Sequence, residues 1–427
     1  MGKYVRYSDE FLDRVRQAAD LVGLISRDIT LKKSGKSFSA CCPFHKENTP
    51  SFSVSPERNF YRCYGCGAKG DAITWMMDHH HLPFPDAVAA VAEFSGIQLP
   101  EPSLDTAADQ ARNAELAAMY RALKDAQTLY VGGIQRNAKS YGYLAQQRGL
   151  SSDTIGKYGL GTVGTGIADL LLKRHDRQIL IDCGLVCEAE DGRLFDRFRS
   201  RIMIPIHDHG GALVGFAGRS VIESPDRTPK YINSPETKLF HKGEELYAFN
   251  VARQFIRADR HAVVVEGFFD VLSLHQAGDS RAVAPMGTSL TNVQMRRLFQ
   301  NADTVTFAFD GDKAGRKAAL RSSAVVLEEM CDGKNAQFLF LPEGTDPDSI
   351  LRENGLEYWI EMLNQAQPLS RFLTDFVKHR LDIQIPESQV KAAERGRAVI
   401  ARIRDAALFK KALSLQFERA IGISLSA

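Results

Sequence analysis

The sequence predicts an α+β multidomain chain: a cysteine-centred ribbon, a mixed α/β segment, an α/β unit with a mostly parallel sheet, and a helical tail. Three observations predict it. Two ligand-type pairs, Cys42-Pro43-Phe44-His45 and Cys63-Tyr64-Gly65-Cys66, lie within the first hundred residues. Between residues 261 and 341, short apolar runs alternate with stretches of helix length and period. From about Pro368 the pattern is helical. With 427 residues, 44% hydrophobic and 25% charged, the chain is globular in composition and too long for one core. No apolar run approaches the roughly 18–20 residues that cross a bilayer. The N-terminus MGKYVRYSDEFLDRVR lacks an apolar signal region, so a cytoplasmic protein with no membrane contact is expected.

The elements follow in order. Residues 1–102 read as a first domain: a helix, short strands around the cysteines, then helices to Ile97. Leu99-Pro100-Glu101-Pro102-Ser103 blocks regular structure, and 103–114 is expected to be a linker, with helical periodicity from about Arg112 to Gln135. Residues 115–245 form a basic subdomain whose clearest feature is a hairpin, Arg201–Ile206 turning at His207-Asp208-His209-Gly210-Gly211 into Ala212–Phe216. Residues 246–365 alternate strand and helix, which implies right-handed crossovers and ligands gathered at the carboxyl edge of the strands. Residues 366–427 complete the chain as a helical subdomain.

The spacing C-x2-H-x17-C-x2-C suits tetrahedral Zn²⁺, because each pair turns tightly and the loop returns the second pair to the first. Cys42, His45, Cys63 and Cys66 leave no open position, so one structural zinc is expected. Cys41 breaks the spacing, and Cys183, Cys187 and Cys331 are expected to be small core residues. Lys32, Lys33, Lys36, Phe38, Arg58, Phe60, Tyr61, Arg62 and Lys69 surround the motif; Lys32, Lys33 and Arg62 are the favoured contacts to a single strand, although some aromatics must cover the metal.

Three apolar runs stop at acidic residues: Val263-Val264-Val265 at Glu266, Phe307-Ala308-Phe309 at Asp310 and Asp312, and Phe338–Leu341 shortly before Asp346 and Asp348. Carboxylates crowded at strand ends repel one another unless a cation sits among them, and oxygen-only ligands suit Mg²⁺ or Mn²⁺. Asp310 and Asp312, separated by Gly311, are the leading ligands; Asp346 and Asp348 repeat the geometry and could complete a further ion site. Glu266 could bind metal or move a proton from an attacking hydroxyl, and Asp270, one helical turn on, supports the cluster. Asp312 and Asp348 could instead cap helices. Residues 261–365 carry 15 acidic against 9 basic residues, whereas 23–70, 193–260 and 366–427 are each basic, a distribution that fits a metal site approached by a polyanion.

The segments EGFFD (266–270), FDGDKAGRKAA (309–319) and GTDPDSIL (344–351) resemble the three motifs of the Toprim fold. Together with the zinc motif and with RFRSRIMIPI, GFAGR and TPKYINSPET, the chain from about Tyr7 onward resembles bacterial replicative primases of the DnaG type. That resemblance implies a zinc-binding domain tethered to a Toprim-containing RNA polymerase domain, which makes short RNA primers de novo on single-stranded DNA from ribonucleoside triphosphates. It implies two or more catalytic Mg²⁺ or Mn²⁺ at Glu266, Asp310, Asp312, Asp346 and Asp348. It also implies nucleotide or template contacts at Arg201, Arg219, Lys230, Tyr231 and Asn233, and a nucleoid-associated place of work. A replicative helicase is the family's expected partner, but the helical domain that docks on it is not expected in a chain ending at Ala427.

Three weaker signals carry no assignment. Gly159–Gly164 matches a dinucleotide-loop pattern without a preceding strand, Gly35-Lys36-Ser37 lacks the first glycine of a P-loop, and His79-His80-His81 reads as a solvated helix end.

Overall fold

The computed structural model describes residues 7, 9–47, 49–57, 59–80, 82–99, 107–221, 229–287 and 289–425. Arg58, His81, Thr228 and the expected boundary residues Pro100–Ser103 lie outside them. The chain forms two compact units, Met1–Gln110 and Ala111–Ala427.

The first unit is an antiparallel ribbon with helices on one side. Its strands β1 (Lys32–Ser34), β2 (Ser37–Ala40), β3 (Phe52–Ser55), β4 (Phe60–Cys63) and β5 (Lys69–Gly70) pair in chain order. Strict alternation along β4 points Tyr61 and Cys63 inward and Phe60 and Arg62 outward. Phe52, Tyr61 and Trp75 are fully buried and pack with Phe44, which sits between two ligand-type residues. Tyr61 therefore covers the cysteine site rather than reaching solvent.

A helix spans Ala107–Ile134, beginning inside the stretch expected to be a linker, with residues 111–134 in the second unit. A four-stranded sheet follows from β6 (Gly161–Val163), β9 (Arg201–His207), β10 (Leu213–Ser220) and β11 (Tyr231–Asn233), with β7 (Val186–Glu188) and β8 (Leu194–Asp196) as a separate hairpin. The expected Arg201 hairpin is β9–β10. Gly161 lies within β6, so the Gly159–Gly164 segment forms no strand-to-helix phosphate loop.

The sheet that positions the acidic residues has the order β12-β14-β13-β15-β16-β17 (Leu246–Tyr247, Ala282–Pro285, His261–Val264, Thr304–Phe309, Asn335–Phe340, Gln367–Pro368). The four inner strands are parallel and the two edges antiparallel. From β13 the chain first adds β14 on one side, then crosses to β15 and β16 on the other. β13 is thus the switch point of the sheet, where a crevice opens at the carboxyl edge.

One face of this sheet carries the tail helices Leu369–Lys378, Pro386–Ile400 and Ala407–Ile421, and Leu369, Val377, Val399 and Phe417 share a buried cluster with Val264, Phe307 and Phe338. The tail is helical as expected but has no separate core. The other face joins Val263, Val265 and Phe268 to Ile202, Ile204 and Ile206 of β9. Among the remaining cysteines, Cys183 is buried as expected; Cys331 is exposed, in the loop between the helix Lys313–Glu328 and β16.

Candidate active site and metal centre

Cys42, His45, Cys63 and Cys66 converge, with all four ligating atoms within 4.8 Å of one another. Cys42 Sγ and Cys66 Sγ are 3.6 Å apart, and Cys63 Sγ lies 3.8 Å from His45 Nδ1. Tetrahedral Zn²⁺ with ordinary bond lengths requires S···S of about 3.8 Å and S···N of about 3.6 Å. The donor set fits zinc in both chemistry and spacing. Burial raises the Cys63 thiol, but the Ser51 hydroxyl at 3.1 Å and the Cys66 amide outweigh it and hold the thiol low, favouring the thiolate a metal needs.

Glu47 was not anticipated from the sequence. Its Oε1 accepts the amides of Cys42 (2.6 Å) and Ser51 (3.1 Å), its Oε2 accepts the Ser51 hydroxyl, and Oε2 lies 3.2 Å from His45 Nε2. A carboxylate on the far nitrogen fixes the tautomer that leaves Nδ1 free to ligate. Glu47→Gln is expected to weaken zinc binding about 10–100-fold in a chelator-competition titration, with the fold retained. Gly65 is needed in the same knuckle, since a Cβ there would come within 2.7 Å of His45 Nε2.

Lys32, Lys33 and Arg62 are all exposed on the ribbon. Arg62 stacks over the ring of Tyr64, 5.3 Å to the centroid, and Tyr64 is 72% exposed. Tyr64 was missed as the available aromatic; its place between a ligand cysteine and Gly65 was the signal. Asp28, His79 and His80 form a second close group, with His80 Nε2 2.9 Å and Trp75 Nε1 2.8 Å from Asp28 Oδ2. His79 and His80 are therefore tied to Asp28.

At the carboxyl edge of the parallel sheet, Glu266 follows β13, Asp310 and Asp312 follow β15, and Asp346 lies beyond β16. Gly311 permits the Asp310–Asp312 turn, because a Cβ there would meet the Leu341 carbonyl oxygen at 2.0 Å. Burial and the charge of Asp310 push the Glu266 carboxyl above the usual range, although it accepts the Asp310 amide. Burial, then Asp312 and Asp346, raise Asp310. Asp270 is pushed up to about 8, by burial first and then by Asp346, Asp310 and Asp348. Glu266, Asp270, Asp310, Asp312, Asp346 and Asp348 therefore share one field, and a cation among them would oppose these shifts. The side chains are not drawn as close as the zinc set: among the described residues they form no group of three ligating atoms within 4.8 Å.

Capping explains part of the pattern. Asp312 Oδ1 accepts the Gly315 amide at 2.7 Å and caps the helix Lys313–Glu328. At the third strand end the cap is Asp346, reciprocally bonded with Ser349, not Asp348.

Asp348 corrects the sequence reading. It is fully buried, and its carboxylate is already engaged by Arg148 Nη1 (3.1 Å), Arg352 Nη2 (3.3 Å) and Ser273 Oγ (2.7 Å). Three donors on its two oxygens make it an anchor for Arg148. Arg148 also donates to the Tyr143 hydroxyl (3.1 Å) and lies over the Phe269 ring. Removing it by Arg148→Ala strands a buried charge that Arg352 only partly compensates. A loss of about 3 kcal/mol in urea unfolding is expected.

Arg201 is the second correction. Only 1% exposed, it donates from Nη1 to the carbonyls of Gly218 and Pro229, both at 3.0 Å, and burial lowers its pKa. Gly218 makes the space, since a Cβ there would lie 2.8 Å from Arg201 Cδ. Through these two bonds Arg201 braces the sheet. Asn233 likewise ties β11 to the Met286 carbonyl through Nδ2, at 2.9 Å. Arg219 lies over the ring of Tyr231 (4.9 Å), and its Nε and Nη1 are buried without a hydrogen-bond partner. Tyr231 packs on Phe268, next to the Glu266 turn, and Lys230 is exposed.

Comparison with known proteins adds to this geometry. Residues 7–106 match the family described as CHC2 zinc finger, 130–253 the DNA primase catalytic core N-terminal domain, and 263–351 the Toprim-like family. These matches point to zinc and divalent-metal binding. The DNA primase of Pseudomonas putida is 40% identical over 409 residues, covering 93% of this chain and 61% of that protein. The DNA primase of Escherichia coli K12 is 38% identical over 399 residues, covering 92% of this chain and 68% of its own length. The chain thus spans about three fifths of the P. putida relative. Among solved structures, the Aquifex aeolicus primase (zinc binding and RNA polymerase domains) superposes with TM-score 0.63 at 30% identity, covering 97% of this chain and 98% of that one. A DnaG primase catalytic domain bound to single-stranded DNA superposes with TM-score 0.66 at 34% identity, covering 72% of this chain and 99% of that one.

Proposed function

The chain belongs to the bacterial DnaG-type DNA primases, and from that premise we propose that it is a DNA-templated RNA polymerase that starts short RNA primers de novo on single-stranded DNA. The observation that carries this reading is the shared field of Glu266, Asp310, Asp312, Asp346 and Asp270 at the switch point of a parallel sheet, beside an arginine with two unsatisfied buried nitrogens.

In this reading Asp310 and Asp312, with Glu266 and Asp346, hold two or more Mg²⁺ or Mn²⁺. When bound, such ions supply Lewis acidity to the attacking 3′ hydroxyl and the pyrophosphate leaving group. Asp312 and Asp346 are held rigidly by the helix N-termini they cap, so their oxygens arrive preorganised. Glu266 accepts the Asp310 amide, which couples its orientation to the neighbouring ligand; it either completes an ion's shell or takes the hydroxyl proton. Asp270 supports the field from the first turn of the helix Phe268–Ala277, where it accepts the Gly267 amide. Arg219 offers Nε and Nη1 to phosphate while stacked on Tyr231, and Lys230 adds an exposed cation beside it. Asn233 orients β11. Arg148, fixed by Asp348, extends this basic wall.

The N-terminal unit carries one structural zinc on Cys42, His45, Cys63 and Cys66 and grips single-stranded DNA with Lys32, Lys33 and Arg62, with Tyr64 available for base stacking. Ribonucleoside triphosphates are the substrates, and the place of work is the nucleoid. A helicase contact is carried by the family alone. No helix among the described residues is long and apolar enough to cross a membrane.

Incubation with a single-stranded template, ribonucleotides and Mg²⁺ or Mn²⁺ should give short RNA that disappears in Glu266→Gln. Template binding with no RNA from the unaltered chain would remove the polymerase reading, and cleavage of the template would replace it with a nuclease on the same fold.

A further inference from the structure

A second basic site lies apart from the acidic cluster. Between the helix Ala107–Ile134 and the turn after Leu171, a cavity of about 570 Å³ is lined by Arg121, Lys124, Lys173 and Arg174 together with His175, Asp125 and Asp176. Its four permanent cations face two carboxylates. Asp125 is already engaged, 3.0 Å from His175 Nε2 and 3.8 Å from Arg174. Arg121, Lys124 and Lys173 are exposed and have no carboxylate partner among the described residues. Arg121 and Lys124 are three apart on the long helix and so share one face, with Lys173 and Arg174 across the cavity.

Holding this many like charges around one concavity costs free energy that a phosphate-bearing ligand would recover. We infer that this pocket is a second nucleic-acid contact, gripping the sugar-phosphate backbone of a single strand without reading its bases. No Phe, Tyr or Trp lines the cavity and His175 is held by Asp125, so contact is through phosphate. The cations come from two elements and stand around an open concavity, the arrangement of a track along a backbone. The choice of a strand over a free polyphosphate rests on the polymerase reading above. Its two halves, Arg121 with Lys124 and Lys173 with Arg174, are far apart in the sequence and meet only in the fold.

The test measures binding alone, so it stands whether or not the chain makes RNA. A fluorescent oligo-dT of about thirty nucleotides is titrated at several salt concentrations against the full chain and against Arg121→Gln/Lys124→Gln/Lys173→Gln. The variant should bind on the order of tenfold more weakly, with a salt slope shallower by about 2, because each lost phosphate contact removes about 0.7. Lys124→Gln alone should reduce the slope by about 0.7. Thermal melting checks that both variants stay folded, as the exposure of all three side chains predicts. Unchanged affinity and slope in a folded variant would overturn the inference. Tripolyphosphate binding that the variant loses, with oligo-dT binding unaltered, would overturn the strand assignment in favour of a free polyphosphate.

Discussion

Asp310→Asn is expected to lower nucleotide incorporation about 10²–10⁴-fold while leaving the fold intact. Asp310 follows β15 immediately and feels Asp312 and Asp346, while Glu266 accepts its amide. Asparagine keeps the shape but removes one charge from a repelling cluster. The thermal midpoint in the absence of divalent ions should therefore hold or rise, since burial and like charges already disfavour the ionised form. Incorporation of labelled ribonucleotide, measured beside a melting curve, separates the two effects. Activity near that of the unaltered chain would remove Asp310 from the ion site.

Cys63→Ser is expected to unfold the N-terminal unit. Cys63 is fully buried in a core with Phe52, Tyr61 and Trp75, and that core is small. In a unit of this kind metal-binding free energy is folding free energy, on the order of 10 kcal/mol in small zinc modules. Serine supplies neither the soft ligand nor the packing of sulfur. Zinc content should fall from one per chain toward none. The near-ultraviolet dichroism of Trp75 should be lost, while Trp359, whose Nε1 donates to Asp279 at 3.1 Å in the second unit, keeps its own signal. A Cys63→Ser chain with full zinc and an unchanged Trp75 signal would contradict this.

The sequence was most informative where chemistry forces a spacing. Four zinc-type ligands in two short pairs were legible because a turn of fixed length must bring each pair to one ion. The inner strands were legible because a strand buried on both faces is an uninterrupted apolar run, and the carboxyl edge of such a sheet is a place, not a detail. The burial of Asp348 was not legible because Asp-Pro-Asp has the same spacing as Asp-Gly-Asp. Which carboxylate caps the helix and which turns inward is decided by Arg148, two hundred residues away. Arg201 entered by resemblance alone; its burial was not legible because only the partner strand reveals that Gly218 leaves room for it. Glu47 and Arg148 carried no periodic or motif signal; each is identified by what it touches. The tail was correctly helical but not separable, since its amphipathic faces finish the core of a sheet formed earlier in the chain.

The account rests on new chains being started at the acidic edge of the sheet, and the fate of the γ-phosphate tests that most directly. With a single-stranded template, Mg²⁺ or Mn²⁺, and ribonucleoside triphosphates labelled at the γ-phosphate, the unaltered chain should give short RNA that retains the label at its 5′ end, and Asp310→Asn should give none. Product that forms only from a supplied 3′ end, with all label released as pyrophosphate, would contradict it.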